Sequence, residues 1–399
     1  MRTILQKVRI KAGASLVAGL VLLLSAASAA ATWQIEMVDQ SGTGRFTSLK
    51  IDKDGNAHLV YVVDNGKQTL KYAFWDHALG RWFTMNVAEE ASFSSLVLDS
   101  KQHPHISWAD FGSAHGCKLH YGFWDGTSWK TQAIPLPAET VAYYTSLALD
   151  ANDNPSISYY EYDGPRGTEF RVRMRVVRWS GHNWQVSTAD GSNQSGKFNS
   201  LAFDAQGRLH LAYANVRAET AGLRYGVWDG RSWQIEEVDG LTRSNVEYVG
   251  QGVSMVLDDN GDPHVSYLNS SRPSVKYAVR KNGHWIMEVV DWLVGVGYPD
   301  RNSIALDGEG RPYLGYFDAG AGSFKVAHKE GSKWLAETVD SNGSGFTSSI
   351  QVRAGMVWVS YSDEAGAGIK VARAALSQVR RDEPLLDSPK AKETVQDHH

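Results

Sequence analysis

The sequence predicts an all-β fold, a seven-bladed β-propeller with four-stranded blades, on three observations. Trp33, Trp82, Trp129, Trp184, Trp233, Trp285 and Trp334 recur at intervals of 47 to 55 residues. A short run led by Ser follows each of them, as in SLKID (48–52), SLVLD (95–99), SLAFD (200–204) and SMVLD (254–258). Two more β-rich runs complete each unit before the next tryptophan. Units of about 50 residues with four short strands stack radially, because no unit can bury its apolar surface alone.

Each unit begins with a Trp strand, written most fully as WQIEMVD (33–39), WQIEEVD (233–239), WIMEVVD (285–291) and WLAETVD (334–340). The Ser strand comes next. A turn such as KDGNA (53–57) or DNGDP (259–263) then leads to HLVY (58–61) or HVSY (264–267), and a last strand reads LKYAFW (70–75), LHYGFW (119–124) or LRYGVW (223–228). Gly and Asn in the turns supply the left-handed backbone that tight hairpins need. Trp124 and Trp129, Trp179 and Trp184, and Trp228 and Trp233 flank short turns, which predicts ring contacts across the hairpins. The chain starts on a Trp strand and its last unit lacks one. With Ser strands innermost and Trp strands outermost, residues 33–39 complete the last blade and close the ring.

Three segments follow from this: a leader over 1–31, a propeller over 32–376, and a charged, flexible tail over 377–399. The leader has Arg2, Lys7, Arg9 and Lys11, a short apolar run from Leu16 to Leu24, and small residues up to Ala29 and Ala31. That pattern is a Sec-type signal peptide and predicts a secreted or periplasmic protein. The apolar run is too short to span a bilayer, so no membrane insertion is expected. Of the 40 Lys and Arg residues, four lie in the leader, which leaves 36 against 44 Asp and Glu. With no basic cluster, nucleic acid is not an expected partner. Cys117 is the sole cysteine, so the core must hold the fold without an intrachain disulfide. It lies between His115 and His120, and a lone, partly buried thiol is the expected reading.

QHPHISWAD (102–110) resembles a metal centre in its spacing of His103, His105 and Asp110. The repeat says otherwise. His58, His105, His210 and His264 each stand six residues after an aspartate, Asp52, Asp99, Asp204 and Asp258, which predicts a repeated Asp–His contact across a turn. No metal and no cofactor is expected. Asp-rich turns such as DKDG (52–55) lack the ligand set of a calcium loop. The strand-leading serines have no unique His and acid partners and read as small residues that let blades approach closely, so no catalytic residue is assigned.

Variable loops on a rigid scaffold are where sites form. They lie on the face opposite the Asp–His turns. PLPAETVAYYTS (135–146) carries Tyr143 and Tyr144; YYEYDGPRGTEF (159–170) carries Glu161, Asp163 and Arg166; VDWLVGVGYPDR (290–301) carries Trp292, Tyr298, Asp300 and Arg301. Flat aromatics beside carboxylates and guanidinium groups suit a sugar ring and its hydroxyls.

Units of the form W-x-x-E-x-V-D … S-L-x-L-D … H-x-S-Y … L-K-Y-A resemble the repeats of secreted bacterial propellers near the sialidase-like (BNR-repeat) and fucose-specific lectin families. WDGTSW (124–129) and WDGRSW (228–233) are the nearest strings to the sialidase Asp box and lack its leading Ser. The resemblance implies a non-catalytic binding protein for glycan or protein, acting through the loop face. Its alternative is a glycoside hydrolase or lyase with one site at the channel mouth, for which Glu161, Asp163, Asp300 and Asp318 are the candidate acids.

Overall fold

The computed structural model describes residues 32–110, 118–137, 140–163, 171–192, 195–216, 222–240, 248–295, 302–342, 347–363 and 368–379. They form seven four-stranded antiparallel sheets arranged as a seven-bladed propeller. Blades 1 to 6 run in chain order, each from its innermost Ser strand outward, and blade 1 comprises Thr43–Ile51, Ala57–Asp64, Gln68–Asp76 and Arg81–Glu89. Blade 7 takes its inner three strands from the C-terminal end and its outermost, Gln34–Asp39, from the N-terminal end, where it pairs with Gly368–Ala375. The ring is therefore closed as the repeat phase predicts. A helical turn, Leu376–Val379, buries Val379 against blade 7.

Burial alternates along the innermost strands and is nearly continuous along the second strands, which have blades on both sides. Outermost strands such as Arg81–Glu89 are largely exposed. Six of the seven strand-leading serines stitch the ring through a backbone amide, and Ser303 meets the Ser348 hydroxyl instead. Ser48, Ser95, Ser146, Ser200 and Ser254 each accept the backbone N–H of the residue after the next blade's serine, at 3.0 to 3.3 Å. Ser349 closes the cycle on Leu49 N at 3.0 Å. Small size lets the blades meet, and the hydroxyl satisfies an amide that the meeting buries.

Two further contacts explain why the outermost strand reads W-x-x-E-x-V-D. Its Glu accepts the indole N–H of the next blade's tryptophan: Glu36 from Trp82 (3.1 Å), Glu236 from Trp285 (3.0 Å), Glu288 from Trp334 (2.7 Å) and Glu337 from Trp33 (3.0 Å). Its Asp receives a tyrosine hydroxyl and a cation from the next blade. Tyr61 and Lys71 meet on Asp39, Tyr213 and Arg224 on Asp190, Tyr267 and Lys276 on Asp239, Tyr316 and Lys325 on Asp291, and Tyr361 and Lys370 on Asp340. Burial opposes ionisation of Asp39 and Asp340, but the donors outweigh it and hold both carboxyls below their ordinary value.

Candidate functional site

The histidines are structural. His58, His105, His210 and His264 sit 3.0 to 3.7 Å from their aspartates through Nε2, and each Nδ1 lies 2.5 to 2.7 Å from a tyrosine hydroxyl on the third strand. Burial lowers all four histidine pKa values against the raising effect of the aspartates. His103 pairs with Asp99 at 3.5 Å, and both ring nitrogens of His105 face protein groups. Among the described residues no cluster of His, Cys, Asp and Glu is arranged to hold a metal ion. The tryptophan pairs meet at 5.4 to 5.9 Å between centroids, edge-on or tilted rather than stacked flat.

An axial channel of about 660 Å³ is walled by all seven innermost strands. Lys50 is the one charged residue on its wall among the described residues, in a position held elsewhere by Val97, Ala148, Ala202, Val256, Ala305 and Gln351. Its burial lowers the ammonium pKa.

At the loop-face end the strands do something the sequence reading missed. Two residues before the serine, blades 1 to 4 each place an aromatic in the left-handed region: Phe46 (φ 51°), Phe93 (φ 52°), Tyr144 (φ 53°) and Phe198 (φ 51°). Blade 5 has Gly252 there, at φ 60°. Strand register slips at each of these points, so every one is a β-bulge. A bulky residue at positive φ costs on the order of 1 kcal/mol or more, and four in a row mark a built feature. Hydrogen bonds over-determine the bulges: Ser94 Oγ donates to Phe46 O (2.7 Å), Thr145 Oγ1 to Phe93 O (2.5 Å) and Asn199 Nδ2 to Tyr144 O (2.6 Å).

The result is an aromatic arc over four consecutive blades. Centroids are 4.6 Å apart for Phe46–Phe93 and for Phe93–Tyr144, and 4.9 Å for Tyr144–Phe198. The arc rims a hollow of about 170 Å³ whose polar lining includes Thr47, Thr145, Asn199 and Asn302. Tyr143 joins it edge-on to Phe93 at 5.7 Å, and Tyr160 to Tyr144 at 6.2 Å, with the Lys197 ammonium 5.8 Å from the Tyr160 ring.

The residues nominated from sequence are thus partly assembled. Tyr143 and Tyr144 belong to the arc, though on the innermost strand Val141–Leu149 rather than in a loop. Glu161 is on the second strand Pro155–Asp163 and only 1% exposed. Its Oε2 takes Arg173 at 2.8 Å and its Oε1 faces Arg175 at 3.0 Å, so it anchors guanidinium groups beneath the surface and has no free face for a ligand. Trp292 ends the outermost strand of blade 5, half exposed on the rim, and blade 4 separates it from Tyr143 and Tyr144. Asp163 is placed by its backbone alone, opposite Arg171. Tyr298, Asp300, Arg301, Arg166, Cys117 and His115 lie outside the described residues, as do the leader and 380–399. Asp318 is 1% exposed and paired with Lys325 at 3.2 Å. The arc was visible as R-F-T-S, S-F-S-S, Y-Y-T-S and K-F-N-S (45–48, 92–95, 143–146, 197–200) once the units are aligned on the serine.

Fold and aperture together define a class, a closed seven-bladed propeller with an aromatic collar at one mouth of its channel. The polysaccharide lyase Uly1 shares this fold with a TM-score of 0.57 at 9% identity, over 87% of this chain and 100% of its own. A protein of unknown function from Dyadobacter fermentans gives 0.51 at 12% identity, over 87% and 98%. The NanB sialidase of Streptococcus pneumoniae gives 0.48 at 11%, over 86% and 71%. At such identities the likeness is one of fold. No family model and no curated protein matches the sequence.

Proposed function

We propose that the protein is a glycan-binding propeller whose ligand sits at the collar of the channel mouth. The observation that carries this is the arc of Phe46, Phe93, Tyr144 and Phe198, held at backbone cost around a hollow edged by hydroxyl and amide groups. Aromatic faces take the apolar face of a pyranose, and Thr and Asn side chains take its hydroxyls. Lys197 and the Arg173–Arg175 pair above Glu161 add positive charge on the same side, which suits an acidic saccharide. The polysaccharide lyase that shares the fold makes polysaccharides the first ligands to screen. Binding rather than hydrolysis is favoured because the candidate acids Glu161 and Asp318 are each 1% exposed and are held by Arg173 and Arg175 and by Lys325, which leaves neither placed to protonate a leaving group.

The test is calorimetric titration with oligosaccharides selected on a glycan array. Phe93→Ala and Tyr144→Ala are expected to weaken binding at least tenfold, and Trp292→Ala to leave it within twofold. A folded protein that binds no saccharide, or binding lost only in Trp292→Ala, overturns the reading. Export is part of the proposal, and N-terminal sequencing of the exported protein should begin just after Ala29 or Ala31.

A further inference from the structure

The junction between blades 2 and 3, like that between blades 1 and 2 where Phe74 and Trp124 hold the equivalent positions, lacks a side-chain cation that four other junctions carry. At four junctions a cation from the protein lies between the blades on the turn side. Arg373 stands over Trp75 at 4.5 Å and on Glu36 at 2.8 Å; Arg178 stands over Trp228 at 4.6 Å. Arg280 meets Glu236 at 2.8 Å, and Lys329 meets Glu288 at 2.6 Å beside Trp334. Each cation is therefore bracketed by an indole, a carboxylate, or both.

Between blades 2 and 3 that cation is missing. Strand register puts Phe123 where blade 3 has Arg178, and Trp179 where blade 5 has Arg280. Gln132 replaces the glutamate that would take the indole of the next blade, and the buried Nε1–H of Trp184 has no partner. Phe123 leans onto His105, 5.6 Å away and nearly parallel, and a hollow of about 240 Å³ opens against Trp179 and Trp184. Tyr121 closes another side, edge-on to Trp184 at 5.5 Å. The one carboxylate on the wall is Asp153, tied to Ser100 by its backbone N–H (2.9 Å) and hydroxyl (2.6 Å), and no Lys or Arg lines the hollow.

We infer that this hollow is a ligand site for a small organic cation, an ammonium or guanidinium group with a hydroxyl or carbonyl oxygen close by. The cation takes the place that Arg178 fills one junction further on, between the indole of Trp179 and the carboxylate of Asp153. Its oxygen accepts the idle Trp184 Nε1–H. Aromatic walls desolvate the charge, and Asp153 balances it. The site is on the turn side of blades 2 and 3, away from the collar, and stands or falls independently of glycan binding.

Titration of the ¹⁵N-labelled full chain, followed at the Trp184 indole resonance, tests this. Choline and N-acetyl-arginine amide are the probes, and 3,3-dimethyl-1-butanol is the neutral isostere of choline. Saturable shifts are expected with a cation and at least tenfold weaker binding for the neutral alcohol. Asp153→Asn, which keeps an acceptor for Ser100, should weaken the cation about tenfold. Phe123→Arg, which supplies the cation from within, should abolish binding. Tighter binding of choline identifies a free small molecule as the source, and tighter binding of the arginine amide identifies a side chain of another protein. Equal binding of the alcohol, unchanged binding in Asp153→Asn, or an indole resonance that neither cation moves would overturn the site.

Discussion

Four histidines set the acid limit of this fold. Their pKa values are lowered from 6.5 by burial, against the pull of neighbouring aspartates, so the folded state favours the neutral ring. The unfolded chain binds more protons between the folded values and 6.5. Stability is therefore fully present above pH 6.5 and declines as pH falls through that window. The urea midpoint should be flat from pH 7 to 8 and drop steadily below 6.5; a flat midpoint down to pH 5 would count against buried neutral imidazoles. A paired substitution separates the indoles. Trp285→Phe removes the indole donor of Glu236, which keeps Arg280, and should cost about 1 kcal/mol, whereas Trp184→Phe removes a donor without a partner and should be close to neutral. Thermal or urea denaturation of the two variants measures the difference.

On the scale of strands, the repeat was legible because periodicity carries packing. The Ser, Glu and Asp of S-L-x-L-D and W-x-x-E-x-V-D recur because most junctions use the same three contacts. What those residues touch was not legible, since the partner is in the next blade, 21 to 55 residues away or about 300 across the closure of the ring. The Asp of Val-Asp is an example: Ala88 and Ile134 face the leucine that it faces in blade 4, and the next blade then offers Trp108 or a Tyr159 without an aspartate. The sequence places Tyr143, Tyr144 and Trp292 in loops because their segments vary in length and content from unit to unit. Bulges let Tyr143 and Tyr144 stay on a strand and still reach the mouth. The stitches can be tested singly. Ser200→Ala leaves the Met255 amide without its acceptor and should cost about 1–2 kcal/mol in urea unfolding, more than Ser128→Ala on an exposed turn.

For the molecule as a whole, closure and collar are linked. The strand Gln34–Asp39 supplies Glu36 to Trp82 and Asp39 to Tyr61 and Lys71, so it joins blade 7 to blade 1. Asp39→Asn should destabilise the ring by about 2 kcal/mol and broaden the unfolding transition, read by calorimetry. A ring fixed this way holds the four bulges in one arc and can carry their strain. Hydroxyl-radical footprinting with and without a bound oligosaccharide tests that placement most directly. The account predicts protection of Phe46, Phe93, Tyr144 and Phe198 together, with Trp292 reacting equally in both states. Protection of Trp292 with the collar unchanged would contradict it and put the ligand on the rim of blade 5.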